Sequence, residues 1–289
     1  MLPNFIGIGA PRCGSTWLYR LLLSHPQIYV PKKRKELYFF NKYYNRGLSW
    51  YEQFFPRDDD TREYIAVGEI TPIYMYSQET ARRISQVDSI KRLLLILRNP
   101  VDRLYSEYIM HYSYGNYSGS FAEYINRPGR IESGFYVDYI QSYLQYYDKS
   151  QLLVLIFENA IKDYASTKHC IASFLGVNPD RFLPEAGIVV VNEGRIVKHR
   201  RLLNIALRLR LLLHHYDLDW ILKLGHALGL EWWVFHGAKK PPTMDPQIRD
   251  RLTITYSDKN AMLEEMFSLN LSHWMPASLG ERKPREQSE

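Results

Sequence analysis

Four short apolar runs, each handing over to a stretch of helical periodicity, constrain the fold of this 289-residue chain more than any other feature. They are NFIGIG (4–9), IAVGE (65–69), RLLLIL (92–97) and LLVLI (152–156). Uninterrupted apolar runs of this length suit strands covered on both faces, since a strand with one wet face alternates apolar and polar side chains. Helical stretches are predicted at 15–24, at 77–88, from Val101 to about Tyr114, at about 134–147 and at 158–174. Strands alternating with helices predict an α/β fold with a central parallel sheet flanked by helices. Helix 15–24 carries Trp17, Leu18, Leu21 and Leu22 on one face, and His25-Pro26 ends it, because the residue before proline is pushed out of helical geometry. Asp245-Pro246 pairs an N-cap with proline at the first helical position and opens a helix to about 267. With no internal repeat and no low-complexity linker, the prediction is one domain over 1–289.

The first strand–helix turn carries chemistry. GAPRCGST (9–16) fits the G-x-x-x-x-G spacing of a phosphate-binding loop, but Ser15 stands where a nucleoside-triphosphate loop carries lysine. Unpaired N–H groups and the dipole at the start of the next helix favour an anion there. Ser15 and Thr16 add hydroxyl donors, and Arg12 adds a positive charge. A second candidate follows the strand 92–97. A nucleoside triphosphatase places an Asp near the end of such a strand to hold Mg²⁺. Here Arg98 follows instead, with Ser106 eight residues on, about two helical turns later. Taken singly, the loop also fits a tight turn without a ligand, and Arg98 and Ser106 fit a surface arginine and a helix-face serine. Taken together, two anion sites without a metal-binding Asp predict a nucleotide with two separated phosphates.

Composition sets outer limits. Lys and Arg exceed Asp and Glu by 37 − 31 = 6, an excess that suits anionic ligands without establishing a nucleic-acid partner, and none is predicted. Cys13 and Cys170 are the only cysteines, too few for a disulfide framework, and no Cys/His cluster has zinc spacing, so no metal is predicted. The chain shows no leader-like segment and no uncharged apolar stretch of about 18 residues, which predicts a cytoplasmic protein without a membrane span.

GAPRCGSTWL (9–18) resembles the 5′-phosphosulfate loop of the sulfotransferases, and LRNPVDRLYS (97–106) resembles their 3′-phosphate motif. The similarity runs to about residue 178, through SGFYVDYI (133–140) and QLLVLIFENAIKDYASTKHCIASFLGV (151–177), and returns at KKPPTMDPQIRDRL (239–252) and LSHW (271–274). The resemblance implies the sulfotransferase fold and the donor 3′-phosphoadenosine 5′-phosphosulfate, with adenosine 3′,5′-bisphosphate as product. It implies that Pro11, Arg12, Cys13, Gly14, Ser15, Thr16 and Trp17 hold the 5′ group. Arg98 and Ser106 are implied at the 3′ phosphate, with Tyr136 in the same donor set. KRKELYFFNKYYNRGLSWYEQFFP (33–56) looks most like the heparan sulfate and bacterial carbohydrate-type members, whose Lys-Glu or Glu-Glu pair precedes Phe-Phe. On that match Glu36 is the general base that takes the acceptor proton, a task a carboxylate beside the donor can perform. Read without the match, Glu36 fits better as a partner that balances the cations 32–35 in a solvated charge run. Lys35, Glu69 and His111 are candidate contacts to the acceptor, which is expected to be a carbohydrate, a lipid or a small natural product.

The chain departs from the family pattern at three places. Arg12 replaces the usual loop lysine, so the loop cation is a fork that does not donate its proton. Ile70 replaces the lysine of a Glu-Lys-Thr-Pro motif, and the late Lys-Gly-Arg loop is only echoed by Gly194 and Arg195 after Glu193. The basic amphipathic stretch 199–236 is less family-like and leaves three readings open: helices packed on the sheet, a lid or oligomer face, or a peripheral membrane contact. Nothing in the sequence specifies an oligomeric state. Two rival functions stay open as well, a phosphate-loop nucleotide kinase or triphosphatase and a non-catalytic, membrane-associated nucleotide-binding module.

Overall fold

A computed structural model describes residues 1–57, 64–183, 209 and 243–276. Apart from position 209, the stretch 199–236 lies outside the described residues, as do Gly194 and Arg195. The described chain builds a five-stranded parallel sheet from β1 (Phe5–Gly9), β2 (Ile28–Tyr29), β3 (Ala66–Ile70), β4 (Arg92–Leu97) and β5 (Leu152–Ile156), in the order β2-β3-β1-β4-β5. Its helices are α1 (Ser15–Leu23), α2 (Leu48–Glu52), α3 (Gln78–Ser85), α4 (Pro100–Ser113), α5 (Phe121–Ile125), α6 (Tyr136–Leu144), α7 (Phe157–Lys162), α8 (Tyr164–Leu175) and α9 (Pro246–Phe267). No helix among the described residues is long and apolar enough to cross a membrane.

Both sheet faces are covered, which is why the strands read as continuous apolar runs. Side chains alternate along each strand: Ile6, Ile8, Leu93, Leu95 and Leu97 join the core with Ala81, Ile84 and Ile140 of α3 and α6. Phe5, Leu94 and Ile96 join Leu18, Leu21, Leu22 and Ile171 of α1 and α8 on the other face. Each of these leucine, isoleucine and phenylalanine side chains contributes about 1.5–3 kcal/mol when fully buried. The predicted helix 158–174 is two helices instead. Asp163 leaves helical geometry at φ −119° and ψ 80°, and its carboxylate accepts the Ser166 N–H at 3.0 Å, capping α8 in mid-run. Asp245 caps α9 as expected, accepting the Gln247 N–H at 2.8 Å.

The topology places the site. β1 and β4 are neighbours, but the chain leaves β1 toward the β2 edge and leaves β4 toward the β5 edge. Connections that diverge from adjacent parallel strands open a crevice at their carboxyl ends, where ligands of such sheets bind. The 9–16 loop and Arg98 flank that crevice, and the Ala10 N–H, bonded to Ile96 O at 2.8 Å, ties the loop to β4.

A third segment reaches the same sheet end through β3. The Thr71 hydroxyl donates to Glu69 Oε2 at 2.6 Å and accepts the Leu37 N–H at 3.0 Å and the Tyr38 N–H at 3.4 Å. Tyr51 and Tyr74 donate to Glu69 Oε1 at 2.8 and 3.0 Å, and the Leu37 N–H also reaches Glu69 Oε2 at 3.4 Å. Glu69, expected to touch the acceptor, is fully buried and serves as an internal anchor for residues 37–38. The reason is its strand position: every residue of β3 is buried, and the glutamate is tolerated there because four donors surround it.

Burial pushes the Glu69 carboxyl up to about 7 from an ordinary 4.5, against the pull of its hydroxyl donors. A carboxyl held above its unfolded value favours the protonated fold. Its destabilising effect is therefore absent below about pH 4.5, grows as pH rises and is complete above about 7. Its full size is on the order of 3 kcal/mol at about 1.4 kcal/mol per unit. Glu69→Gln does not titrate, so its melting temperature should fall less between pH 5 and pH 8 than that of the parent protein. Parallel melting curves across that range would remove Glu69 as the source.

Candidate active site

The loop after β1 is shaped by Gly14. It sits at φ 92°, and a Cβ there would lie 2.3 Å from the Phe157 ring, so only glycine fits. As the N-cap of α1, Gly14 offers no side-chain acceptor, and the first turn holds no acidic residue. The first amides of α1 therefore remain open to an outside anion. Ser15 and Thr16 stand at this mouth, and Pro11 and Arg12 line the cleft beside it.

Three residues expected at the donor face the interior instead. Trp17 is a core residue of α1, edge-on to Phe157 and Tyr164 at 6.5 and 6.3 Å between ring centres. Its bulk is placed by the helix period, which sets it on the buried side with Leu18 and Leu21. The Cys13 thiol is fully buried, 3.5 Å from the Tyr136 hydroxyl, and burial pushes it up to about 11. Tyr136 is itself 1% exposed and donates to Arg98 O at 2.8 Å, bracing the β4 turn from beneath. At Cys13 only the backbone is left for a ligand.

Arg98, half-buried beyond β4, holds its guanidinium 5.8 Å from the centre of the Phe157 ring, the ring that also supports Gly14. Ser106 lies on α4, and its Oγ accepts from Arg12 Nε at 3.1 Å and Arg12 Nη2 at 3.0 Å. The loop arginine thus bridges the two expected anion sites. Asn99, the cap of α4, fixes this turn: its side chain accepts the Val101 N–H at 2.9 Å, and its N–H donates to Glu158 Oε1 at 2.8 Å.

Lys35 and Glu36 enter the same cleft from the anchored segment. Lys35 Nζ donates to Ser15 Oγ at 3.0 Å, Thr16 Oγ1 at 3.2 Å and Glu36 Oε1 at 3.3 Å. The Tyr38 hydroxyl donates to Glu36 Oε2. The expected base and the expected donor loop are thus joined through one ammonium group. Its ammonium form is opposed by burial, supported by Glu36 and opposed again by Arg12.

Apart from His111, the far wall was not foreseen from the sequence. Arg103, 1% exposed, donates to Glu107 Oε2 at 2.7 Å and Ser133 Oγ at 2.6 Å. Glu107 also accepts from Arg130 and, at 3.1 Å, from Tyr124, while His111 Nε2 lies 3.8 Å from it. Burial opposes the Glu107 charge, but the two arginines outweigh it and hold the carboxyl below its usual range. Burial keeps His111 below its usual value, so this expected acceptor contact is a neutral imidazole at pH 7. The spacing of Arg103 and Glu107, four apart on one helix, was the available signal.

These walls enclose a cleft of about 650 Å³. Its floor offers amides, two hydroxyls and cations for a nucleotide with two anionic groups, and a carboxylate stands beside them. That donor set fits a phosphosulfate. Among the described residues, no group of three or more His, Cys, Asp or Glu comes together as a metal-ligand set.

Comparison with known proteins identifies the family. The sulfotransferase domain family matches residues 2–201. A membrane-associated sulfotransferase, kil1, of Dictyostelium discoideum is 39% identical over 112 residues, covering 39% of this chain and 23% of that protein. The human bifunctional heparan sulfate N-deacetylase/N-sulfotransferase 3 is 32% identical over 206 residues, covering 64% of this chain and 23% of its own length. Mouse heparan sulfate glucosamine 3-O-sulfotransferase 6 is 29% identical over 184 residues, covering 61% and 52%. The chain therefore spans between about a quarter and a half of these relatives. A solved sulfotransferase from Alicyclobacillus acidocaldarius superposes with a TM-score of 0.67 at 25% identity, over 95% of this chain and 99% of that one. A phosphate-type loop without its lysine, an arginine in place of the metal-binding acid after β4, and a family match over more than half the chain lead to one conclusion: this protein belongs to the sulfotransferase family.

Proposed function

We propose that this protein transfers the sulfuryl group of 3′-phosphoadenosine 5′-phosphosulfate to a hydroxyl of a carbohydrate acceptor. The observation that carries the reading is the Lys35 bridge, which holds the Glu36 carboxylate and the Ser15 and Thr16 hydroxyls in one cleft. A carbohydrate acceptor is supported by the heparan sulfate activities named for the relatives and by the cleft, where Arg12, Lys35, Arg103 and Arg130 outnumber Glu36 and Glu107.

The donor supplies an activated sulfuryl group, and the chain supplies position and charge. The open amides of α1, with the Ser15 and Thr16 hydroxyls, hold the 5′ end. Arg98 and Ser106 hold the 3′ phosphate, and Arg12 spreads positive charge between the two. Glu36 accepts the acceptor proton as the new O–S bond forms, with the Tyr38 hydroxyl and Lys35 fixing its two oxygens. Fixed donors aimed at developing charge are worth several kcal/mol in a cleft shielded from water.

Two measurements test this reading. Adenosine 3′,5′-bisphosphate should raise the melting temperature, since a ligand of the folded state alone stabilises it. Adenosine 5′-monophosphate should do so far less, and equal shifts would remove Arg98 and Ser106 from the 3′ site. Glu36→Gln keeps shape but does not take up a proton at neutral pH. Calorimetry should find its affinity for adenosine 3′,5′-bisphosphate nearly unchanged, while sulfate transfer falls by roughly 10²- to 10⁴-fold, the usual share of a general base. Full turnover by that variant would place the base elsewhere.

A further inference from the structure

The loop of this protein lacks a lysine at both places where a phosphate-type loop could carry one, since position 12 is arginine and position 15 is serine. The Arg12 side chain is committed to α4: Nε and Nη2 bond to Ser106 Oγ, and Nη1 lies 3.7 Å from Met110 Sδ. Yet an ammonium group does stand at the mouth of α1. It belongs to Lys35, twenty residues downstream of Ser15, with its side chain 21% exposed and Nζ within 3.2 Å of both loop hydroxyls.

The geometry points to Lys35 as the catalytic cation that stabilises charge on the departing 5′ phosphate, in place of a lysine within the loop. The inference rests on the donor reading above. An ammonium has hydrogens to give and no lone pair to receive, so each hydroxyl it touches becomes an acceptor toward it. The hydrogens of Ser15 and Thr16 are then turned outward, toward the anion held by the α1 amides. Lys35 thus supplies charge directly and aligns two further donors.

The Lys35–Glu36 contact joins this role to proton transfer. As the acceptor oxygen bonds to sulfur, the bond between sulfur and the bridging phosphate oxygen breaks, and its electron pair stays on phosphate. The acceptor proton passes to Glu36. The neutral carboxyl then holds Lys35 less strongly, at the moment the phosphate oxygen gains charge. Lys35 keeps its own protons and shifts its hydrogen bonding from Glu36 to the leaving phosphate.

The test isolates the 5′ phosphate. Calorimetry compares adenosine 3′,5′-bisphosphate with adenosine 3′-monophosphate on the full chain, on Lys35→Met and on Lys35→Arg. In the parent protein the bisphosphate should bind more tightly. Lys35→Met keeps the apolar stem and should lose about 10- to 100-fold in bisphosphate affinity, the scale of a charged hydrogen bond, with 3′-monophosphate affinity unchanged. Lys35→Arg should restore part of the lost affinity. The sulfate-transfer rate constant kcat of Lys35→Met should fall further than its binding, because charge on the leaving oxygen peaks in the transition state. An unchanged bisphosphate affinity in Lys35→Met, or an equal loss for both nucleotides, would overturn the assignment to Lys35 alone. Failure of the parent protein to bind the bisphosphate at all would overturn the donor reading as well.

Discussion

The hydrogen bonds from the Leu37 and Tyr38 amides to Thr71 are the contacts on which the site depends. The segment between β2 and α2 pairs with no strand beyond Tyr29 and turns through a short π-helical stretch, Phe39–Tyr43. What fixes its place is the polar end of β3, where Thr71 and Glu69 receive its backbone, together with Phe39 and Phe40 packed against Tyr51 and Tyr74. A buried polar cluster is costly unless every member is satisfied. Here three hydroxyls and an amide converge on one carboxyl, and Lys35 and Glu36 are carried to the β1–β4 crevice as a result.

The cleft has two walls whose cations are held in different ways. On the loop wall, cations touch hydroxyls: Lys35 on Ser15 and Thr16, Arg12 on Ser106. Cations in such contacts keep their charge and turn the hydroxyl hydrogens toward the ligand. On the far wall Arg103 and Arg130 share Glu107, so one carboxylate answers two cations and a positive charge is left over, as it is where Lys35 and Arg12 stand beside Glu36. Both walls therefore keep a cationic excess, in line with the anionic donor and the carbohydrate acceptor proposed above.

The sheet and the loop were legible because both follow from local rules: continuous apolar runs for doubly covered strands, and glycine spacing for the anion turn. β4 and β5 begin and end where their runs do, and Asp245-Pro246 opens α9 as its caps dictate. Of the residues singled out in the sequence, Pro11, Arg12, Ser15, Thr16, Lys35, Glu36 and His111 line one cleft. The side chains of Trp17, Tyr136 and Cys13, also named from the motifs, turn into the core instead, because a motif records identity and not direction. The burial of Glu69 was missed for a related reason: Thr71 and Tyr74 are close in sequence, but Tyr51 and the Leu37 amide reach it from distant segments. Arg130 meets Glu107 across 23 positions, a pairing only the fold creates. The split at Asp163 reflects a cap that outcompetes helical periodicity over a single residue.

Lys35 and Glu36 are consecutive residues, and that adjacency has a mechanical consequence. In the mechanism proposed above, groups with opposite duties, one facing the leaving side and one the attacking side, hang from a single peptide unit. A displacement of that unit misaligns both ends of the reaction together, so partial function of one end without the other is hard to reach by moving the backbone. The cleft behaves as a two-bladed tool with one handle: its alignment is inherited from wherever β3 grips residues 37 and 38.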